Sequence, residues 1–120
     1  MVHMDLKDIQ EQQKQFIHDR RWERFPASQV FVHLVEELGE VGSHLLYKTG
    51  YKVKGLGHEG EDDPVSRELA QVFNLFLQLC IDLDVDLETA WQEEYQRNQT
   101  RFDAKQWQDL AKNAEESESQ

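Results

Sequence analysis

Residues 28–49 read SQVFVHLVEELGEVGSHLLYKT, and this stretch decides the fold. Val30, Phe31, Leu34, Val35, Leu38, Val41, Leu45 and Leu46 recur at three- and four-residue spacing, which stacks side chains on one side of a helix. The pattern stops at Thr49-Gly50, a composition suited to a left-handed C-terminal cap. The same rotation of about 100° per residue puts Glu36, Glu37 and Glu40 in one polar sector, with His33 and His44 a turn before and after. Three carboxylates this close repel one another at neutral pH unless water or a cation relieves them. A solvated acidic face is the plain reading of such a row, and a cation site is the chemical one.

Downstream, Asp63-Pro64 is expected to open a second strong helix, with the carboxylate as N-cap and proline in the first turn. That helix, to about Leu83, has a very wide apolar sector from Val65 and Leu69 through Phe73, Leu75, Phe76 and Leu79 to Ile81, which suits the centre of a core or a subunit interface. Glu68 projects between Leu75 and Leu79, inside that sector. An acid there is expected to lose water and to need a partner, either a salt bridge to Arg67 or a loop lysine, or a metal ion.

Upstream, Asp5 to Arg24 carries a thin apolar stripe of Leu6, Ile9, Phe16, Ile17 and Trp22, ended by Pro26. After Leu83, Asp86 is placed to cap a fourth helical segment through Ala90, Trp91, Tyr95 and Phe102 toward Trp107 and Leu110. The long loop between the two strong helices holds Gly50, Gly55, Gly57 and Gly60. With no useful strand-like alternation, the expectation is an all-α bundle of four to five helices. One domain is expected over residues 1–110, followed by an acidic, disordered tail at 111–120 that has nothing to bury.

A chain of 120 residues has room for one core. Its 13 Lys and Arg against 24 Asp and Glu give a net charge of −11, a field that repels a phosphate backbone and argues against nucleic-acid binding. A small anionic substrate remains admissible if a divalent cation reverses the local field. The single cysteine, Cys80, excludes an internal disulfide and reads as a small buried hydrophobe, in keeping with a reducing, cytoplasmic location. No stretch approaches the roughly 20 apolar residues that cross a bilayer, and the N-terminus has no signal-peptide core, so no membrane association is expected.

Hard oxygen donors from two antiparallel helices suit magnesium, with manganese as the alternative, and leave coordination positions open for phosphate. Glu37 and Glu40 would approach from one helix and Glu68 from the other. The Glu-x-x-His element of ferritin-like iron bundles is missing, because Ser43 follows Glu40 at that offset. Lys52 and Lys54, close after Lys48, are cations isolated in an acidic chain that could close over phosphates. Solvated linker lysines are the plainer reading. Trp22 could stack on a base and Tyr95 lie against a ribose, although aromatic residues at helical spacing ordinarily serve the core. His33 and His44 could form a mixed histidine-carboxylate metal site, the alternative being unligated surface imidazoles.

Glu36-Glu37-Leu38-Gly39-Glu40 resembles the E-E-x-x-E element of the MazG-like nucleotide pyrophosphohydrolases, and Arg67-Glu68-Leu69-Ala70-Gln71-Val72-Phe73 is similar to their E-x-x-D element. Asp84 to Ala90 and Arg97 to Phe102 resemble later family stretches, so the likeness covers about residues 5–105. It implies a MazG-like helical bundle assembled as a homodimer or homotetramer, with the active site near a subunit interface. It also implies hydrolysis of a nucleoside triphosphate to monophosphate and pyrophosphate, using magnesium, in cleansing of the nucleotide pool. By the same likeness, Glu37, Glu40 and Glu68 bind metal, with Gln71 at the fourth metal position, and Glu36 binds metal or orients the attacking water. Asn98 and Arg101 contact the nucleotide. Gln71 stands where the family has aspartate and offers an amide oxygen without charge. The alternative is therefore a weakened or inactive nucleotide-binding member.

Overall fold

The computed structural model describes residues 3–59 and 63–119. Helix α1 (Leu6–Asp19) opens with a capping box, in which the Asp5 carboxylate accepts from the Asp8 amide at 2.8 Å and the Asp8 carboxylate accepts from the Asp5 amide at 3.3 Å. Arg21, in the left-handed region at φ 56°, breaks the helix, and a short 3-10 turn (Trp22–Arg24) leads to Pro26. Helix α2 (Ala27–Lys48) then runs unbroken, as its periodicity requires.

The loop after α2 doubles back on itself. Gly50 at φ 82°, Gly55 and Gly57 supply the left-handed positions, and Lys54 and His58 meet in an isolated β-bridge. Gly60 lies outside the described residues. Helix α3 (Val65–Asp82) follows, with Pro64 rather than Asp63 at its N-cap and no side-chain capping bond. The expected carboxylate cap is therefore replaced: Asp63 pairs instead with Arg67, one turn into α3, at 3.3 Å.

Helices α2 and α3 pack antiparallel. His44 lies against Glu68 near one end, while Val30 and His33 share a cavity with Leu75 and Gln78 toward the other. Helix α1 joins through the side chain of Gln13, which donates to that of Asn74, and through Gln10, which donates to the Val85 carbonyl at 2.7 Å. Between them lie the buried apolar residues Ile17, Val30, Leu34, Leu75, Leu77 and Cys80. Burial pushes the Cys80 thiol above its ordinary 9.0, which keeps it unreactive. A second apolar set stays exposed. Phe31, Val35, Leu38 and Leu45 form a stripe along α2, and Leu69, Phe73, Phe76 and Leu83 repeat the same spacing along α3.

The chain divides into two compact units, residues 1–86 and 87–120. The second holds α4 (Leu87–Arg101) and α5 (Ala104–Glu118). The single fourth segment expected from the sequence is thus two helices, because Asp103 restarts the chain as an N-cap, accepting from the Gln106 amide at 3.0 Å. Helix α5 also takes in the stretch from residue 111 that was expected to be disordered. It is exposed throughout, and its alanine, lysine and glutamate content favours helix without burial. Gln120 lies outside the described residues. Among the described residues the fold is all-α, and no helix is long and apolar enough to cross a membrane.

Ile17 is 1% exposed and plugs the contact of α1 with its neighbours. Truncation in Ile17→Ala should cost about 3 kcal/mol through lost transfer energy and the cavity left behind, measured by urea unfolding.

Candidate functional site

The acidic sector of α2 faces the first turns of α3 across two adjoining cavities. The smaller, about 280 Å³, is lined by Glu37, Glu40, Asp63, Arg67, Glu68 and Gln71. The larger, about 490 Å³, has Glu36, Glu40, His44 and Glu68 in its wall, together with Lys48 and Lys54. Glu40 and Glu68 belong to both. Carboxylates that lie far apart in sequence therefore meet in one trough, because antiparallel packing sets the middle of α2 against the start of α3.

Glu68 is the anomaly of this trough. It is 5% exposed, as its place in the apolar sector demands, and its Oε2 has no hydrogen-bond partner among the described residues. A buried carboxylate oxygen left without a partner costs free energy. The salt bridge considered for it does not form with Arg67, whose guanidinium goes to Asp63. The nearest imidazole, His44, places Nδ1 4.0 Å away, beyond hydrogen-bond distance. His33 attends a different acid, with Nε2 3.4 Å from Glu37 Oε1. The two histidines thus each face one carboxylate and do not share a site.

Glu40 is held above its ordinary carboxyl value of 4.5, first by its hydrogen bond and charge interaction with Glu37, then by partial burial and by the charges of Asp63 and Glu36. Among the described residues, no three His, Cys, Asp or Glu side chains are grouped to hold a metal ion as they stand. The donor chemistry nevertheless fits a hard cation: oxygen ligands from two helices, a repelling acidic row and one orphaned buried carboxylate oxygen.

Gln71 lines the smaller acidic cavity as the sequence places it, and it also faces a third cavity of about 440 Å³. There Phe16, Trp22 and Phe25 oppose the amides of Gln29, Asn74 and Gln78. Asn74 donates to Gln71 Oε1 at 3.5 Å, so the two polar side chains are tied together. Trp22 packs edge-on against Phe16 at 5.7 Å and contributes to a cavity wall rather than to the buried core. Nothing in the spacing of these amides singles them out in the sequence, because they come from two helices.

Of the two loop lysines, Lys54 reaches the larger cavity and Lys52 is not among its lining residues. Asn98 and Arg101 belong to the second unit. Arg101 Nη2 donates to Asn98 Oδ1 at 3.3 Å and its guanidinium lies 4.4 Å from the centre of the Phe102 ring. Tyr95 is in the same helix, its hydroxyl accepting from Gln99 at 2.6 Å.

No family model matches the chain, and no curated protein does. Among solved structures it is similar to the crystal structure of the "putative pyrophosphatase YPJD from Bacillus subtilis", with a TM-score of 0.66 and 25% sequence identity over 87% of this chain and 98% of that one.

An acid whose value is raised by folding takes up protons as the chain folds, so its effect on stability is most favourable at low pH. The Glu40 contribution should accordingly decline as pH rises from about 4.5 through its elevated value. Denaturant titrations across that window should show a shallower decline in Glu40→Gln than in the parent.

Proposed function

We propose that the chain is a divalent-metal-dependent nucleotide pyrophosphohydrolase, converting a nucleoside triphosphate and water to the monophosphate and pyrophosphate. The observation that carries this reading is the buried Glu68 carboxylate, whose Oε2 has no hydrogen-bond partner among the described residues, in a trough shared with Glu37 and Glu40. The likeness to a structure described as a pyrophosphatase supports a pyrophosphohydrolase-like function. Nucleotide-pool cleansing in the cytoplasm is the role that fits it.

Magnesium, or manganese in its place, would be held by Glu37, Glu40 and Glu68 and would neutralise charge on the phosphate oxygens. Glu36 is exposed in the wall of the larger cavity, next to Glu40, and in this reading it orients a water or accepts its proton. Lys48 and Lys54 line that cavity and would bind the phosphates. Lys52 contributes charge to the loop without lining the cavity. The third cavity is suited to a base: aromatic surface from Trp22, Phe16 and Phe25 for stacking, and amides from Gln29, Asn74 and Gln78 for hydrogen bonds to its edge. Asn98 and Arg101 keep the nucleotide-binding role implied by the family resemblance. They are close enough to hydrogen-bond each other and can act as one polar unit.

Gln71 favours a second reading, in which the chain binds nucleotides and hydrolyses them weakly or not at all. It removes one negative charge from the metal set and spends its amide oxygen on Asn74. Pyrophosphate release across a panel of canonical and modified nucleotides, with magnesium and with manganese, separates the two. Under the first reading turnover is metal-dependent and Glu68→Gln lowers it at least about 100-fold, as expected when a main charge-stabilising group is lost. Absent turnover, together with tight calorimetric binding of a non-hydrolysable analogue, would establish the second.

We further propose that the protein is a homodimer or homotetramer assembled through the exposed apolar stripes of α2 and α3. Each has four large apolar residues in water, at 49–53% exposure for Phe31, Val35, Leu38 and Leu45 and 39–58% for Leu69, Phe73, Phe76 and Leu83. Such continuous patches mark interaction surfaces. Light scattering should give a multiple of 14.2 kDa, and Val35→Glu with Leu69→Glu should shift the species toward monomer.

A further inference from the structure

The proposed metal set is one carboxylate short, and the trough contains one that the motif does not provide. Asp63 and Gln71 line the same 280 Å³ cavity, on either side of Glu68 in sequence, with Glu37 and Glu40 opposite on α2. Asp63 is not occupied as a helix cap, since Pro64 takes that position without a side-chain bond. Among the described residues it pairs with Arg67, at 3.3 Å and on the surface, where the two side chains are 52% and 75% exposed. An exposed pair of this kind is weak and is readily exchanged for a stronger ligand.

What distinguishes the cluster from an ordinary acidic surface is Glu68, which lines the cavity, is more than nine-tenths buried and has one carboxylate oxygen, Oε2, without a hydrogen-bond partner among the described residues. A hard cation among Glu37, Glu40 and Glu68 would satisfy that oxygen and would draw further carboxylate oxygens to it.

We propose that Asp63 is the metal-site carboxylate that replaces the missing aspartate at position 71, and that Arg67 competes with the cation for it. The inference rests on the metal reading given above but not on catalysis. A substitution that neutralises position 71 is compensated by an acid arriving from the N-terminal side of α3. Gln71 is thereby released to face the amide-lined cavity with Asn74. Arg67 holds Asp63 until the metal takes it, and its guanidinium is then available to an anion.

The test uses Mn²⁺ alone, with no nucleotide, followed by electron paramagnetic resonance and calorimetry on the full chain. Wild type should bind Mn²⁺, and Asp63→Asn should weaken binding at least about tenfold, as loss of one anionic ligand does. Gln71→Asp added to Asp63→Asn should restore most of the affinity, and Arg67→Met should tighten binding by removing the competitor. All three positions are on or near the surface of the trough, and far-ultraviolet circular dichroism checks that each variant folds. Mn²⁺ affinity unchanged in Asp63→Asn but lost in Glu68→Gln would overturn the assignment of Asp63 and leave the metal cavity standing. No Mn²⁺ binding by wild type would overturn both. Mn²⁺ binding that depends on Asp63, without pyrophosphate release, would uphold this inference while removing the catalytic reading.

Discussion

The structure turns on a conflict inside α3. Glu68 occupies a position that packing requires to be dry, and a carboxylate in a dry place must be compensated from outside its own helix. Helix α2 runs beside it. Its antiparallel approach, fixed by Val30 and Leu34 on one side and Leu75 on the other, sets Glu37, Glu40 and His44 around the acid. Neither helix alone makes the trough: α2 would be an acidic surface helix, and α3 an apolar helix with an acid in the wrong sector.

Much of this could be read from the residues. The helical spacing of Val30 to Leu46 and the width of the α3 apolar sector are strong local patterns, and both helices lie where those patterns put them. The burial of Glu68 followed from projection alone. Asp63 was harder to read, because an acid before proline has the composition of an N-cap and only the competing pair with Arg67, four residues on, signalled another use. The division at residue 86 and the helix through Glu118 were not legible either. Exposed helices such as α5 carry little apolar periodicity, and their content of helix-forming residues resembles that of a disordered tail.

Gln71 shows how a single neutral side chain redistributes polar groups. At the junction of an acidic cavity and an aromatic one, it carries dipoles into both and charge into neither. Its bond with Asn74, itself held by Gln13 of α1, runs a chain of amides from the first helix toward the carboxylates. Amides both donate and accept, so this chain can reorganise around a partner without the desolvation cost that ions would incur.

The apolar residues buried among those described are few: Ile17, Val30, Leu34, Leu75, Leu77 and Cys80. Eight others lie along the two uncovered stripes. In the assembly proposed above, covering those stripes would make self-association and folding draw on the same free energy. The melting temperature of such an assembly would be a property of the solution as well as of the molecule, rising with each increment in protein concentration by mass action.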